Sequence, residues 1–283
     1  MASKGKRIGF VDYKLGNFHS DTYLSIYRGE LKDRGYEVTA CTALDATSAQ
    51  EWSAKFDVPY MADMAELDAA VDHYIVLAPS DPELHLQLCE MVFPFGKPTY
   101  VDKTFAPDTK TAQRIFRLAD KHGVPMQTTS ALRYTNVQEK VAELGGPDAV
   151  QHMVAWGGGG SFGEYAIHPV ELVISSMGSK AKRLHRRGKG KQSQLIIDFT
   201  GGRTAVVNVY VEASTPFAAS VTTAGKTEII PVDSSAIFVN MAAAILDLFD
   251  AGAPNIDRAE SLMIRRILDA ADDPAALNGF VKV

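Results

Sequence analysis

The chain predicts an α/β fold, a doubly wound parallel sheet followed by an α+β domain with a mostly antiparallel sheet. Three observations carry this. Apolar strand-length runs alternate with helical segments up to about Thr128, the rhythm of parallel strands joined by crossover helices. After Ser130 the rhythm changes, and strands follow one another through short turns such as Gly201-Gly202, as in antiparallel sheets. Two further helical segments, 234–251 and 257–271, follow the strands and are expected to cover that sheet. The boundary falls at residue 130, giving domains 1–130 and 131–283.

In order, 7–11 is the first strand, a helix runs from about 17 to 34 and stops at Gly35, and 37–42 is the second strand. A helix at 46–56 and a strand at 73–77 follow. Asp81-Pro82 starts a helix that runs towards Gly96, because an N-cap acid and a proline at the first helical position suit a helix start. Strand 98–101, helix 108–122 and strand 124–128 complete the first half. In the second half, 136–144 is helical and 149–156 is a strand. Gly157 to Gly160 read as a flexible loop that lets backbone approach a ligand. A helix spans 164–178, and strands are expected at 182–187, 194–199, 204–211, 220–223 and 228–231.

The 283 residues carry a formal charge of −5 and are 46% hydrophobic, an ordinary globular balance with no general attraction to nucleic acid. The basic run Lys182, Arg183, His185, Arg186, Arg187, Lys189 and Lys191 reads as a solvated strand and turn. Cys41 and Cys89 lack metal-like spacing and suit buried thiols in a reducing compartment. No apolar run is long enough for a membrane span, so a cytoplasmic location is expected.

Two stretches carry chemistry. Asp102, Lys103 and Thr104 leave the carboxyl end of strand 98–101, where ligands of open α/β sheets sit. Glu164, His168 and Glu171 are spaced i, i+4 and i+7, so they share one helical face. A carboxylate beside an imidazole can orient it and raise its basicity, as a general base requires. The loop after the first strand reads Val11-Asp12-Tyr13-Lys14-Leu15-Gly16. Against the G-x-G-x-x-G fingerprint of dinucleotide loops, Gly16 fills the third glycine position while Val11 and Tyr13 occupy the first two. Lys14 can partly offset Asp12, and Ala43 stands where the ribose-binding acid is expected, with Asp45 two residues on.

On these residues the chain resembles a short, divergent member of the Gfo/Idh/MocA oxidoreductases, the glucose–fructose oxidoreductase and inositol dehydrogenase family. Asp102-Lys103-Thr104 resembles that family's Glu-Lys-Pro element. Glu164-x-Ala166-x-His168-x-x-Glu171 resembles its Asp-x-Gly-x-His-x-x-Asp helix. Ala78-Pro79-Ser80 with His85, Gly16-Asn17-Phe18-His19, and Arg133-Tyr134 resemble further family segments, as does the closing stretch from Pro254 to Ala271. The resemblance implies a Rossmann-like nucleotide-binding domain (1–130) and an α+β substrate-binding and oligomerisation domain (131–283). It implies NAD or NADP as cofactor, held near Val11, Tyr13, Lys14, Gly16, Asn17, Ala43, Pro79, His85 and Asp102. It also implies His168 as the acid/base and Lys103 as the group that positions the substrate oxygen. Arg133, Tyr134, Glu164, Tyr165 and Glu171 are then the expected substrate contacts.

Three functions compete. The first is an NAD(P)-dependent oxidoreductase acting on a hydroxyl or keto group of a sugar, cyclitol or related polyol. The second is a redox-neutral lyase, isomerase or hydrolase on a sugar derivative, its nicotinamide tightly held or absent. The third is a non-catalytic partner subunit or ligand sensor. All three suit a homo-oligomer, dimer or tetramer, because an open antiparallel face is commonly buried by a second copy. No metal, nucleic acid or membrane partner is expected.

Overall fold

The computed structural model describes residues 5–283, which divide into two compact units. The first holds a five-stranded, all-parallel sheet in the order β2-β1-β3-β4-β5. Its elements are β1 (Arg7–Asp12), α1 (Phe18–Arg28), β2 (Glu37–Ala43), α2 (Ala46–Phe56), α3 (Met64–Ala70), β3 (His73–Val76), α4 (His85–Val92), β4 (Thr99–Val101), α5 (Thr109–His122) and β5 (Met126–Gln127). The strands are buried on both faces, which is why they read as continuous apolar runs rather than alternations. The helix expected to reach residue 34 instead ends at Arg28, and a separate turn covers Lys32–Arg34. Gly29 turns its amide back onto the Ser25 and Ile26 carbonyls and closes the helix there. Strand order reverses between β1 and β3, so their carboxyl ends open a switch-point crevice of the kind that holds ligands in such sheets.

The second unit begins at Ser130 with α6 (Asn136–Glu143), β6 (His152–Gly159), α7 (Phe162–Tyr165) and α8 (Ile167–Met177). β7 (Ala181–Arg187), β8 (Gln192–Phe199), β9 (Thr204–Val211), β10 (Ala218–Thr222) and β11 (Thr227–Pro231) follow. Next, α9 (Ile237–Ala251) leaves this unit: Phe238–Asp257 pack with the first unit, not the second as the sequence suggested. There Met241 meets the Tyr23 and Tyr100 hydroxyls, Phe249 stacks on His73 at 4.4 Å, and Asp247 and Asp250 pair with Arg34. α10 (Arg258–Asp272) and a short edge strand, β12 (Val281–Lys282), close the second unit.

The second sheet has seven strands in the order β11-β10-β6-β9-β8-β7-β12. Every pairing is antiparallel except β6 with β9. Alternate residues such as Met153, Ala155, Leu195, Ile197, Val207 and Val221 face α8 and α10, whose Val170, Val173, Ile174, Ile264 and Ile267 complete one core. The opposite face presents a row of registered neighbours, Ile229, Ser220, Val154, Val206, Ile196 and His185.

Gly157 to Gly159 are not a flexible loop. They are the end of β6, paired with Val209 to Val211. Glycine is needed there because neighbours press close. A Cβ at Gly158 would lie 2.0 Å from the Tyr210 carbonyl oxygen, and one at Gly159 would lie 2.1 Å from the Tyr165 ring. Among the described residues no helix is long and apolar enough to cross a membrane.

Candidate active site

In the first unit, β1 ends at Asp12, whose buried carboxylate organises the following loop. Its Oδ1 accepts from the Tyr13, Lys14 and Ala78 amides at 2.7, 3.3 and 2.9 Å. Its Oδ2 accepts from Asn17 Nδ2 at 2.8 Å. Asn17 also caps α1, its Oδ1 accepting from the His19 and Ser20 amides. Gly16 turns the loop at a φ of +88°, and a Cβ there would meet nothing within 4 Å. A cleft of about 190 Å³ lies between Asp12–Asn17 and Ala78–Asp81. Tyr13 is 39% exposed at this loop, whereas Val11 is wholly buried in β1 and offers a ligand no side-chain surface. Ala43 ends β2 almost buried; the next residues tie back to the loop, Leu44 and Asp45 donating their amides to the Asp12 and Tyr13 carbonyls. The Asp45 carboxylate caps α2 by accepting from the Thr47 and Ser48 amides.

β4 delivers Asp102 and Lys103. Asp102 is fully buried. Its Oδ2 faces His19 Nδ1 at 2.5 Å, and its Oδ1 accepts from the Lys103 amide at 2.8 Å. Burial opposes its charge, yet the adjacent His19 holds the carboxyl below the ordinary aspartate value. Lys103 Nζ donates to the Pro79 carbonyl at 3.1 Å, so the lysine reaches the segment that lines the cleft. The Lys103–Thr104 peptide is cis.

Two of the residues expected at the cofactor have buried partners within the protein. His85 is wholly buried, its ring nitrogens against the Leu77 carbonyl at 2.5 Å and the Phe105 carbonyl at 3.0 Å. Burial lowers its pKa and favours the neutral ring, which ties the turn after β3 to the segment after β4. Asp102 likewise joins His19 to the Lys103 amide.

In the second unit, α8 carries His168 and Glu171. Glu164 lies on the preceding short helix, α7, and the expected continuous helix is interrupted at Ala166. Pro169 explains the break, since it has no amide to donate to the Tyr165 carbonyl. His168 Nδ1 lies 2.7 Å from the hydroxyl of Ser130, which is fully buried. The His168 ring is flanked by Tyr165 and Phe217 at 5.7 and 5.9 Å.

Glu171 is held by partners of its own. It is 2% exposed, accepts from Arg133 Nε at 2.5 Å and receives the Ser130 amide at 3.4 Å. Arg133 Nη1 reaches Glu260 at 2.6 Å. Burial works against the guanidinium charge, but Glu171 and Glu260 raise its pKa well above the ordinary value. Arg133 and Glu171 therefore brace one another. Ser130 and Glu260 escaped the sequence reading. They lie 38 and 127 residues from their partners His168 and Arg133, with no local spacing to mark them.

A parallel sheet with a switch-point crevice and a glycine turn after its first strand is the arrangement of dinucleotide-binding folds. Residues 11–130 match the model of the Gfo/Idh/MocA family, described as an oxidoreductase family with an NAD-binding Rossmann fold. A comparison with curated proteins finds none that matches. Solved structures share the complete fold. A scyllo-inositol dehydrogenase from Lactobacillus casei aligns at 12% identity over 100% of this chain and 99% of that one, with a TM-score of 0.81. An oxidoreductase from Agrobacterium radiobacter, in complex with NAD+, L-tartaric acid and magnesium, aligns at 16% identity over 98% of each chain, with a TM-score of 0.77. A UDP-N-acetylglucosamine 3-dehydrogenase from Acidithiobacillus ferrooxidans aligns at 15% identity over 94% of this chain and 95% of that one, with a TM-score of 0.73. The cofactor of the class is NAD or NADP. The crevice suits it: Lys14 supplies a cation, the Gly16 turn leaves open space, and Pro79 and Ser80 form a wall.

Proposed function

We propose that this protein is an NAD(P)-dependent oxidoreductase acting on a hydroxyl or keto group of a sugar, cyclitol or related polyol. The observation that carries the reading is an imidazole, His168, whose Nδ1 is fixed by a buried hydroxyl, in a chain of an NAD-binding family. With Nδ1 held by Ser130, proton exchange with a substrate hydroxyl runs through Nε2. When bound, the nicotinamide supplies the hydride chemistry. Lys14, Gly16, Asn17 and the Pro79 segment are the chain's groups for holding the dinucleotide, and Tyr13 lines the same cleft. Lys103 supplies a positive charge for the substrate oxygen. Glu164, Tyr165 and Tyr134 are the polar groups for neighbouring hydroxyls.

A panel of cyclitols and aldoses, followed at the reduced-nicotinamide absorbance band, tests the function. Turnover that depends on added NAD or NADP is expected. Conversion of a sugar derivative with no change at that band would replace this reading with the redox-neutral one.

The sheet face opposite the helices belongs to the same proposal. Val154, Val206, Ile196 and the 78%-exposed Ile229 share one registered row, an apolar band suited to a second copy of the chain. Sedimentation velocity is expected to show a dimer or tetramer at micromolar concentration. A monomer would remove this assignment and leave the catalytic one intact.

A further inference from the structure

Three amides from two segments converge on one anionic oxygen. Tyr13, Lys14 and Ala78 all donate to Asp12 Oδ1, while Asn17 Nδ2 secures Oδ2. Ala78 makes its contact from left-handed backbone, with a φ of 65°, which non-glycine residues rarely adopt. Successive amides turned inward in this way form an anion-binding concavity. In dinucleotide folds such amides face the diphosphate. Here the anion is the chain's own side chain, 1% exposed at the base of the cleft.

We propose that Asp12 is an internal stand-in for the cofactor's diphosphate, so that a dinucleotide binds only as this carboxylate takes up a proton and yields the loop amides. The inference rests on the nicotinamide-dinucleotide reading of the cleft and concerns how binding there is controlled. The step balances simply: one proton from solvent adds to Asp12, and no other covalent bond changes. Asn17 Nδ2, released from Oδ2, keeps its second acceptor, the Lys14 carbonyl at 2.9 Å. The amides that leave Oδ1 then have phosphate oxygens as new acceptors.

The surroundings set the direction of the effect. Burial lifts the Asp12 carboxyl to about 6, against the hydrogen bonds from Asn17, Tyr13, Lys14 and Ala78 that favour its ionised form. At neutral pH the carboxylate is therefore mostly charged, and an incoming diphosphate would meet it in a poorly hydrated site. The charged and titratable groups around it are Lys14 and Tyr13 on its own loop, Asp81 on the far wall of the cleft, and Asp45 beyond Leu44. Lys14 favours the dinucleotide, whereas Asp81 and Asp45 add to the repulsion. Proton uptake removes the nearest negative charge, so affinity falls as pH rises above about 6, towards a limit of about tenfold per pH unit.

The test is calorimetric titration of the full chain with NAD and NADH between pH 5.5 and 8.5, in buffers of different ionisation enthalpy. These two dinucleotides lack the 2′-phosphate that would itself titrate in this range. The expected result is a Kd that rises steeply above pH 6, with close to one proton taken up per dinucleotide at pH 8. In Asp12→Asn, the pH dependence and proton uptake disappear, and Kd at pH 8 tightens at least tenfold. The asparagine NH2 would face Asn17 Nδ2, donor against donor, so Asp12→Ser serves as a second variant that removes the charge without that conflict. If neither variant folds, the buffer dependence of the natural protein decides the matter alone. A pH-independent Kd without proton uptake overturns the proposal, as does a pH dependence that survives both substitutions. Absence of binding by natural and variant proteins alike, at every pH and at millimolar NAD, NADH, NADP and NADPH, overturns the cofactor reading and this inference with it. Binding seen only in the variants at pH 8 supports the inference.

Discussion

Replacing His168 by asparagine lowers kcat on the best polyol by about 10²–10⁴-fold, the usual contribution of a positioned acid/base. Dinucleotide binding, followed by calorimetry, stays within about twofold, because His168 is not among the residues that line the dinucleotide cleft. The imidazole is set by its neighbours. Ser130 begins the turn that carries Arg133, and its hydroxyl both receives the Leu132 amide and meets His168 Nδ1. In the tautomer with its proton on Nδ1, the ring donates to Ser130 and presents the Nε2 lone pair for the substrate hydroxyl. Ser130→Ala should therefore reduce kcat more than it changes KM, since it loosens the ring without removing it. Ser130→Thr, which keeps the hydroxyl, should restore most of the loss. Equal turnover in natural and His168→Asn proteins would remove the acid/base assignment.

Arg133→Met is expected to destabilise the protein by about 3–5 kcal/mol, the cost of leaving a buried carboxylate without its partner. The asymmetry of the two acids identifies the source. The Glu260 side chain is 23% exposed and can regain water, whereas that of Glu171 is 3% exposed and cannot. The double variant Arg133→Met with Glu171→Met should recover most of the loss, because it removes both buried charges and fills the space with apolar atoms. Urea denaturation of the single and double variants measures this directly. Equal loss in both would mean that the arginine stem, and not its charge, holds this region.

Much of the first unit was readable because its strands are buried on both faces and stand out as apolar runs between helical segments. The alternating strands of the second sheet were also readable, since one face meets α8 and α10 while the other does not. The allegiance of α9 was not. Ile237 to Ala251 is apolar on most sides, which announces burial but not the surface it will bury against. Gly157 to Gly159 looked like a loop because their strand partners lie some fifty residues onward, in β9. At the site, Lys103 and His168 were visible through local motifs. The partners of the site residues were not, because Ser130 at His168, Glu260 at Arg133 and the Ala78 amide at Asp12 are brought in by tertiary folding. His85 and Asp102 likewise have partners distant in sequence, the Phe105 carbonyl and His19, that no local motif announces.

The return of α9 to the first unit has a consequence for biosynthesis. The five strands of the first unit are complete once residue 127 has been made. Yet one neighbour of each of Tyr23, Tyr100 and His73 arrives only with Met241 and Phe249. At roughly 5–20 residues per second, the nascent first unit waits about 5–25 s on the ribosome with those surfaces uncovered. A gene cut at the apparent boundary near residue 130 would make that wait permanent. The first unit is thus not a detachable N-terminal module, because the chain must be made through Asp257 before all of it is present.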